Sequence, residues 1–173
     1  MRNYGILFVL AGVLIFIAWQ ARTGVFRRAD PGLPANKWTR AQQEAARLPP
    51  EDLAQIQQRY AGATVTATGL RYLVRRPGEG PPPSVGAMVA VHYHGTLLDG
   101  RKFDSSYDRG EPFSFRVGTG AVIQGWDEAF ATMTKGEKRT LVIPWWLAYG
   151  TQGKGPIPPR ATLVFEVEVL DIR

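Results

Sequence analysis

The sequence predicts an α+β domain in which short antiparallel strands pack on one short helix. From about Gly69 onward, apolar residues alternate along short segments separated by glycine- and proline-rich turns, a pattern typical of strands. One segment changes to helical spacing, with apolar residues at i, i+3, i+4 and i+7: Trp126, Ala129, Phe130 and Met133. The 19 glycines and 13 prolines of the chain provide the turns that many short strands require.

Six segments carry the strand pattern, namely LRYLVRR, MVAVHYHGTLL, RKFDSS, PFSFRV, EKRTLVIP and ATLVFEVEVLDI. Asp99-Gly100 lies between the second and third segments and is a strong signal for a two-residue hairpin. In the last segment, alternation places four apolar residues on one face: Leu163, Phe165, Val167 and Val169. We therefore expect an antiparallel sheet within residues 69–173.

The amino-terminal segment has the composition of a membrane anchor. No residue from Asn3 to Ala21 is charged, and at about 1.5 Å per residue such a run is just long enough to cross a bilayer of about 30 Å. A cleaved signal peptide is one alternative, although bulky Trp19 and Arg22 stand where a cleavage site needs small residues. A buried helix is another. We expect an uncleaved signal anchor over residues 1–22 that contacts the membrane through residues 4–21.

Residues 23–68 are expected to form a basic, partly helical linker, with a dimerising role as an alternative. The stretch RTGVFRRADPGLPANKW is rich in Arg, Pro and Gly, and TRAQQEAARLPPEDLAQIQQRYAG predicts two short helices divided by Pro49-Pro50. A domain behind a single amino-terminal anchor is usually exported, so we expect export here, to the periplasm if the source is a Gram-negative bacterium. Basic residues on both sides of the apolar run leave the orientation open.

Composition excludes several classes of function. The net charge of +6 does not indicate nucleic-acid binding, because residues 1–76 hold 11 Lys and Arg against 4 Asp and Glu, whereas residues 77–173 hold 10 against 11. The basic excess therefore lies at the front of the chain. The absence of cysteine excludes disulfides, thiolate nucleophiles and cysteine-ligated metals.

Motifs for familiar chemistry are missing. No serine lies in a G-x-S-x-G elbow, and the glycines of GTGAVIQG do not fit a dinucleotide-binding fingerprint. His92 and His94, the only histidines, would need a third ligand to hold Zn²⁺ or Ni²⁺, and the favoured interpretation is two partly exposed polar residues on an outer face. We expect no metal and no cofactor. The acidic side chains have no distinctive spacing and indicate turns, helix ends and solvation: Asp104, Asp108, Glu111, Asp127 and Glu128.

Aromatic side chains are abundant in the domain. They are Tyr93, Phe103, Phe113, Phe115, Trp126, Tyr149 and Phe165. Their spacing allows two interpretations, the core of a small sheet or the walls of an apolar pocket, and does not decide between them.

The run from VHYHG through KFDSS, EPFSF, VIQGW and LAYG to IPPRATLVFEVEVLDI resembles the FKBP-type peptidyl-prolyl cis-trans isomerases. The likeness covers about residues 69–173 and keeps several separate motifs in family order. It implies a strongly twisted antiparallel sheet wrapped around one short helix, with an apolar pocket between them that receives a proline ring.

Motif by motif, the resemblance assigns the residues of that pocket. Tyr93, Asp104, Ile123 and Tyr149 are the expected catalytic residues: the Ile123 N–H and the Tyr149 hydroxyl would hold substrate carbonyls, and Asp104 would lie beside the reacting amide. Trp126 is the expected pocket floor. The expected substrate-binding residues are Phe103, Phe113, Val122, Trp126, Ile157 and Phe165. Ala121 and the loop GTQGKGPIPP, with Lys154 and Pro156, depart from the family pattern.

The resemblance implies an isomerase that acts on Xaa-Pro bonds of client polypeptides and assists their folding. It also implies binding of macrolide inhibitors of the immunophilin class. The alternative function is a membrane-tethered peptide-binding or chaperone module that has the same fold and little isomerase activity.

Overall fold

The computed structural model describes residues 48–173. The predicted anchor over residues 1–22 and the first part of the predicted linker lie outside these residues. The strands are β1 (Thr64–Val65), β2 (Arg71–Arg76), β3 (Met88–Leu97), β4 (Lys102–Ser105), β5 (Phe113–Arg116), β6 (Lys138–Ile143) and β7 (Leu163–Ile172). The helices are α1 (Pro50–Arg59), α2 (Ser106–Arg109), α3 (Gln124–Phe130) and a 3-10 turn at Trp145–Leu147. Within residues 48–173, no helix is long and apolar enough to cross a membrane.

The strands form one antiparallel sheet in the order β1-β2-β6-β7-β3-β4, and β5 also pairs with β3. The two longest strands, β3 and β7, pair along most of their length, from Val89 opposite Ile172 to Leu97 opposite Leu163. β4 and β5 share the free edge of β3, since β4 pairs with its carboxyl half and β5 with its amino half. Every predicted strand segment is therefore confirmed, and Gly100, with φ of 94°, closes the predicted β3–β4 hairpin.

The inner face of the sheet packs on α3 and forms the main core. Leu163, Phe165, Val167 and Val169 are all buried there, as the alternation predicts. From α3 the residues Trp126, Ala129 and Phe130 enter the same core. Gly125 permits this packing, because a Cβ at that position would lie 2.5 Å from Cγ2 of Ile143 on β6. The absence of a side chain at Gly125 thus sets how closely the helix approaches the sheet.

The outer face of the sheet, opposite α3, is partly covered by α1. Ile56 and Tyr60 pack against Val142 of β6 and Val164 of β7, in a cluster that also contains Leu48 and Leu98. Pro50 begins the helix at a position where a missing N–H costs nothing, and Glu51, Asp52 and Arg59 complement its dipole. The Asp52 carboxylate accepts a hydrogen bond from the buried Thr162 hydroxyl, 3.1 Å away, and Arg59 donates to the Leu98 carbonyl.

Two features differ from the expectation of a separate linker and one helix. The second predicted linker helix is observed as α1, and it packs on the sheet together with β1, so the chain contributes to this fold before the expected boundary at residue 69. α2 was not expected, since four residues are too few to show helical periodicity. Both helices owe their stability to contacts with the sheet, which local sequence does not reveal.

We expect the substitution Ile56→Ala to destabilise the protein by about 2 to 4 kcal/mol, because it leaves a cavity between α1 and the outer face of the sheet. Urea unfolding followed by circular dichroism measures this difference. Gln57→Ala, an exposed position on the same helix, is the control and is expected to change the free energy of unfolding by less than about 0.5 kcal/mol. Equal stability of the two variants would show that α1 does not contribute to the fold.

Candidate functional site

A cavity of about 430 Å³ opens between α3 and the inner face of the sheet. It brings together nine of the ten predicted site residues, together with three further residues from the loops at its mouth. The lining consists of Tyr93, Phe103, Asp104, Phe113, Gly120, Ala121, Val122, Ile123, Trp126, Tyr149, Lys154 and Phe165. Aromatic and aliphatic side chains therefore dominate a concave surface that carries a few polar groups, as is usual for a small-ligand site.

Trp126 forms the base of the cavity, and other rings surround it mostly edge-on. The ring centroids of Tyr93 and Phe165 lie 5.1 and 5.2 Å from that of Trp126, at interplanar angles of 82° and 75°. Trp126 is only 4% exposed, and its Nε1 has no hydrogen-bond partner in the described part of the chain. Edge-to-face packing of this kind fixes the orientation of the indole and leaves one apolar surface beside the cavity.

One glycine makes room for the rings of the opposite wall. Gly95 lies on β3, and a Cβ there would come within 2.8 Å of Phe103 and 2.9 Å of Phe165. The two rings pack edge to face over this position, with centroids 5.4 Å apart. A larger residue at Gly95 would push one or both rings into the cavity, so this wall depends on a residue without a side chain.

Two hydrogen-bond donors at the cavity are available to a ligand. The N–H of Ile123 makes no backbone hydrogen bond among residues 48–173, because Ile123 precedes the first turn of α3 and only its carbonyl is used by that helix. The Tyr149 hydroxyl belongs to a half-buried side chain, and burial, with a smaller effect from the Asp104 charge, raises its pKa. Tyr149 thus remains a neutral hydroxyl that can donate a hydrogen bond to a carbonyl oxygen.

Asp104 belongs to a three-residue network beside the cavity. The Tyr93 hydroxyl donates a hydrogen bond to its Oδ2. Arg109 donates from Nη1 to Oδ1 of Asp104 at 2.6 Å and from Nη2 to the Tyr93 hydroxyl at 2.7 Å. Each member of the network contacts the other two, so the carboxylate is held in one orientation.

α2 positions the arginine of this network. The Ser105 hydroxyl accepts a hydrogen bond from the Tyr107 N–H and begins the helix, and Gly110, with φ of 71°, ends it one turn later. This single turn directs Arg109 back towards Asp104. Sequence reasoning missed Arg109, and the signal that could have found it is the sequence SSYDRG, a capping serine followed by a terminating glycine.

The network shifts the pKa values of its members. Burial raises the pKa of Asp104, but the hydrogen bonds from Tyr93 and Arg109 outweigh burial, and the pKa lies below its ordinary value. Burial and the neighbouring carboxylate raise the pKa of Tyr93. Because the Asp104 pKa is lower in the folded protein than in the unfolded chain, the network stabilises the fold above the ordinary carboxyl pKa, and this contribution is lost as pH falls through the folded pKa.

The loop before α3 is held by the helix itself. The two carboxylate oxygens of Asp127 accept hydrogen bonds from the N–H groups of Gly118 and Gly120, at 2.9 and 2.8 Å. Gly120, Ala121 and Val122 form one side of the cavity mouth. Asp127, expected from sequence only as a helix-terminal charge, therefore also fixes the rim.

The loop after Tyr149 departs from the expected arrangement. Ile157 does not line the cavity, since its side chain is buried in the main core, and its predicted role in substrate binding gains no support from this position. Lys154 lines the cavity instead. The backbone N–H groups of Lys154 and Ile157 donate to each other's carbonyls at 2.9 and 3.0 Å, which turns the side chain of Ile157 inward and leaves that of Lys154 at the mouth.

His92 and His94 lie on the outer face, away from the cavity lining. His92 Nδ1 is 2.9 Å from the Ser106 hydroxyl, and its ring stacks on Tyr107. This serine is completely buried and also bonds to the backbone N–H and carbonyl of Tyr93, so no substrate can reach it as a nucleophile. Among the described residues, no group of three or more His, Cys, Asp or Glu side chains is arranged to hold a metal ion.

Known proteins resemble this chain in both sequence and fold. FK506-binding protein 2 of Debaryomyces hansenii is 59% identical over 87 residues, which are 50% of this chain and 64% of that protein. FkpA of Escherichia coli K12, an FKBP-type peptidyl-prolyl cis-trans isomerase, is 50% identical over 112 residues, 65% of this chain and 41% of FkpA. The chain thus spans less than two thirds of the length of either relative.

A solved structure and a family model support the same relationship. The crystal structure of AtFKBP13 superposes with a TM-score of 0.63 at 39% sequence identity, over 65% of this chain and all of that one. The model of the FKBP-type peptidyl-prolyl cis-trans isomerases matches residues 80–170, which contain every cavity-lining residue. The chain therefore belongs to the family of FKBP-type peptidyl-prolyl cis-trans isomerases.

Proposed function

We propose that this chain is a peptidyl-prolyl cis-trans isomerase that accelerates rotation about Xaa-Pro bonds of client polypeptides and so assists their folding. The observation that carries the proposal is the aromatic cavity on Trp126, with the donors of Ile123 and Tyr149 at its wall. Membership of the family and the names of the relatives support the same activity.

The chemistry of the Xaa-Pro peptide bond explains why an apolar cavity is sufficient to catalyse its rotation. Rotation about a peptide bond is opposed by about 18 to 20 kcal/mol of lost resonance, and for Xaa-Pro both isomers are populated. At the transition state the amide is twisted, and its carbonyl oxygen carries less negative charge than in the planar form. An apolar enclosure therefore disfavours the planar amide relative to the twisted one. Lowering the barrier by about 5 kcal/mol accelerates rotation several thousandfold.

Each of the nine predicted residues that line the cavity has a defined part in this proposal. The proline ring lies on Trp126 between Tyr93, Phe113, Val122 and Phe165, and Phe103 closes the side wall. The Ile123 N–H and the Tyr149 hydroxyl hold the carbonyls that flank the rotating bond, so that one side of the amide is fixed while the other turns. Rotation breaks no covalent bond and needs neither a nucleophile nor a metal or cofactor.

Asp104 supports the proposed reaction indirectly, because its carboxylate already accepts hydrogen bonds from other residues of the protein. Tyr93 and Arg109 both donate to it, and its charge is balanced by the guanidinium. We infer that Asp104 acts chiefly by holding the Tyr93 ring against the proline site, and that a weaker electrostatic effect on the twisted carbonyl accompanies this. On the same grounds, macrolide inhibitors of the immunophilin class are expected to occupy the cavity, as the name of FK506-binding protein 2 indicates for that relative.

We further propose that residues 1–22 are a signal anchor and that the isomerase domain is exported. The support is the uncharged run from Asn3 to Ala21, followed by Arg22, Arg27 and Arg28, which suit anionic headgroups. The sequence between the anchor and Leu48 then acts as a tether. In a Gram-negative source the exported domain would lie in the periplasm.

We expect Phe103→Ala and Tyr149→Ala each to lower turnover of a Leu-Pro peptide at least tenfold, because one removes a wall and the other a carbonyl ligand. Exchange between the cis and trans peptide, followed by NMR, measures turnover. Asp104→Asn is expected to lower turnover less than Phe103→Ala or Tyr149→Ala does. Val74→Ala is the control, since it truncates an exposed apolar side chain that does not line the cavity. Binding of the peptide by the unmodified protein without faster exchange would favour the chaperone or binding-module alternative.

We expect Arg109→Leu to raise the pKa of Asp104 towards its ordinary value, since the substitution removes a charged hydrogen-bond donor. Carboxyl ¹³C chemical shifts recorded over a pH titration measure the pKa directly. The variant should also lose less stability than the unmodified protein as the solution is acidified below the ordinary carboxyl pKa. Lys102→Leu, which removes the partner of the nearby Asp108, is the control. An unchanged Asp104 pKa in the Arg109 variant would contradict the network.

We expect the full chain to sediment with membranes after carbonate extraction, and the double substitution Val13→Asp and Ile15→Asp to release it, because two buried charges prevent a helix from spanning the bilayer. Val25→Asp with Phe26→Asp, outside the apolar run, is the control and should stay in the membrane. Protease treatment of spheroplasts should degrade an exported domain. Degradation only after lysis of the inner membrane would overturn export.

A further inference from the structure

The cavity mouth carries one positive charge that the proposed reaction does not use. Of the twelve lining residues, Asp104 and Lys154 alone bear a formal charge at neutral pH. The Asp104 charge is balanced by the Arg109 guanidinium at 2.6 Å. The Lys154 charge is not, because within residues 48–173 no carboxylate lies within ion-pair distance of its ammonium group. The mouth of the cavity therefore has a net positive charge.

The backbone holds Lys154 at the mouth. Gly153 and Gly155, on either side of it, adopt φ of 70° and 54°, which favours glycine, and Lys154 exchanges two backbone hydrogen bonds with Ile157. A Cβ at Gly153 would lie 2.3 Å from the Ile157 carbonyl oxygen, so the turn is closed tightly. Ile157 in turn is anchored in the core. A long, flexible side chain thus extends from a fixed point on the rim.

The ammonium group also lies close to a residue of the proposed carbonyl-binding pair. Lys154 Nζ is 5.4 Å from the centroid of the Tyr149 ring, within the range of a cation–π contact. Because this contact is exposed and weak, it leaves the ammonium free to bind a carboxylate. Lys154 lines the cavity that is proposed to receive the proline. A client residue next to the proline has its Cα about 3.8 Å from the proline Cα across a trans peptide and about 2.9 Å across a cis one, so it lies close to the cavity rim in both isomers.

We propose that Lys154 makes the cavity select clients with an acidic residue directly before or after the proline. The proposal rests on the proposed function for the identity of the bound segment, and adds the class of sequence that is preferred. The acidic side chain of the client pairs with the Lys154 ammonium while the proline lies on Trp126. The negative charge of Asp104 competes little with this pairing, since its carboxylate already forms an ion pair with Arg109 at 2.6 Å.

The size of the preference follows from the exposure of the pair. An exposed ion pair contributes little to the free energy of binding. We therefore expect the cavity to prefer an acidic residue over an isosteric neutral one by about threefold to fivefold. Such a preference must weaken as salt is added, because the Debye length falls from about 10 Å at 0.1 M to about 3 Å at 1 M. A contact that only covered the Tyr149 ring would show neither property.

The test uses the full chain and four peptides, acetylated at the amino end and amidated at the carboxyl end, that differ only beside the proline: Ala-Glu-Pro-Phe, Ala-Gln-Pro-Phe, Ala-Phe-Pro-Glu and Ala-Phe-Pro-Gln. NMR titration gives the Kd of each, and exchange gives its kcat/KM. In at least one of the two pairs, the acidic peptide should bind with a Kd about threefold to fivefold lower than that of its Gln counterpart at 0.1 M salt. The ratio of the two Kd values should approach one at about 1 M salt. K154Q should remove the preference, K154E should reverse it, and K154R should retain it.

Lys135→Glu is the matched control for K154E, because both substitutions change the net charge of the protein by the same amount. Lys135 does not line the cavity, and it pairs with Asp171. Lys135→Glu should leave the Glu to Gln ratio unchanged. Equal Kd values for each acidic and neutral pair, or a preference that survives in K154Q, would overturn the inference. These outcomes are separate from failure of the proposed function, in which peptides bind but none exchanges faster.

Discussion

The structure depends on one constraint: a helix of seven residues must be held in place by the sheet that wraps around it. Two turns of helix have almost no stability in water by themselves. Here the inner face of the sheet supplies that stability through Trp126, Ala129 and Phe130, and Gly125 lets the helix come close enough for the contacts to form. The same packing that stabilises α3 also fixes the indole of Trp126 at the base of the cavity, so the fold and the candidate site share one set of contacts.

Much of the fold could be predicted from the sequence, because alternation of apolar residues is a direct consequence of strand geometry. Leu163 to Val169 shows this clearly, and all four inward residues are buried. The outer packing of α1 could not be predicted in the same way, since few apolar residues carry it. One signal was present: Leu141, Val142 and Ile143 are consecutive apolar residues, and a strand covered on both faces has no polar side. The alternation fails where α1 covers Val142.

The candidate site was predictable where its residues lie in strands or at the start of α3, because there the motif fixes the backbone and the backbone fixes the side chain. Eight of the nine residues that meet at the cavity lie in these places, and Tyr149 lies in the turn that follows Trp145–Leu147. Arg109 was missed because its position depends on a single helical turn. Ile157 was expected at the cavity and Lys154 was given no role there, because both lie in a loop closed by glycines, whose backbone conformation decides which side chain faces the mouth. Loops of this kind carry little periodic information in sequence.

The position of α1 on the outer face has a mechanical consequence. The described chain begins at Leu48, which is buried in the outer cluster with Ile56 and Tyr60, on the side of the sheet that faces away from the cavity. Within residues 48–173, tension that reaches the domain through its amino-terminal side is therefore borne first by this cluster and by the hydrogen bond between Thr162 and Asp52. None of these residues lines the cavity. If the domain is tethered through its amino-terminal side as proposed, a pull on the tether leaves the geometry around Trp126 undisturbed.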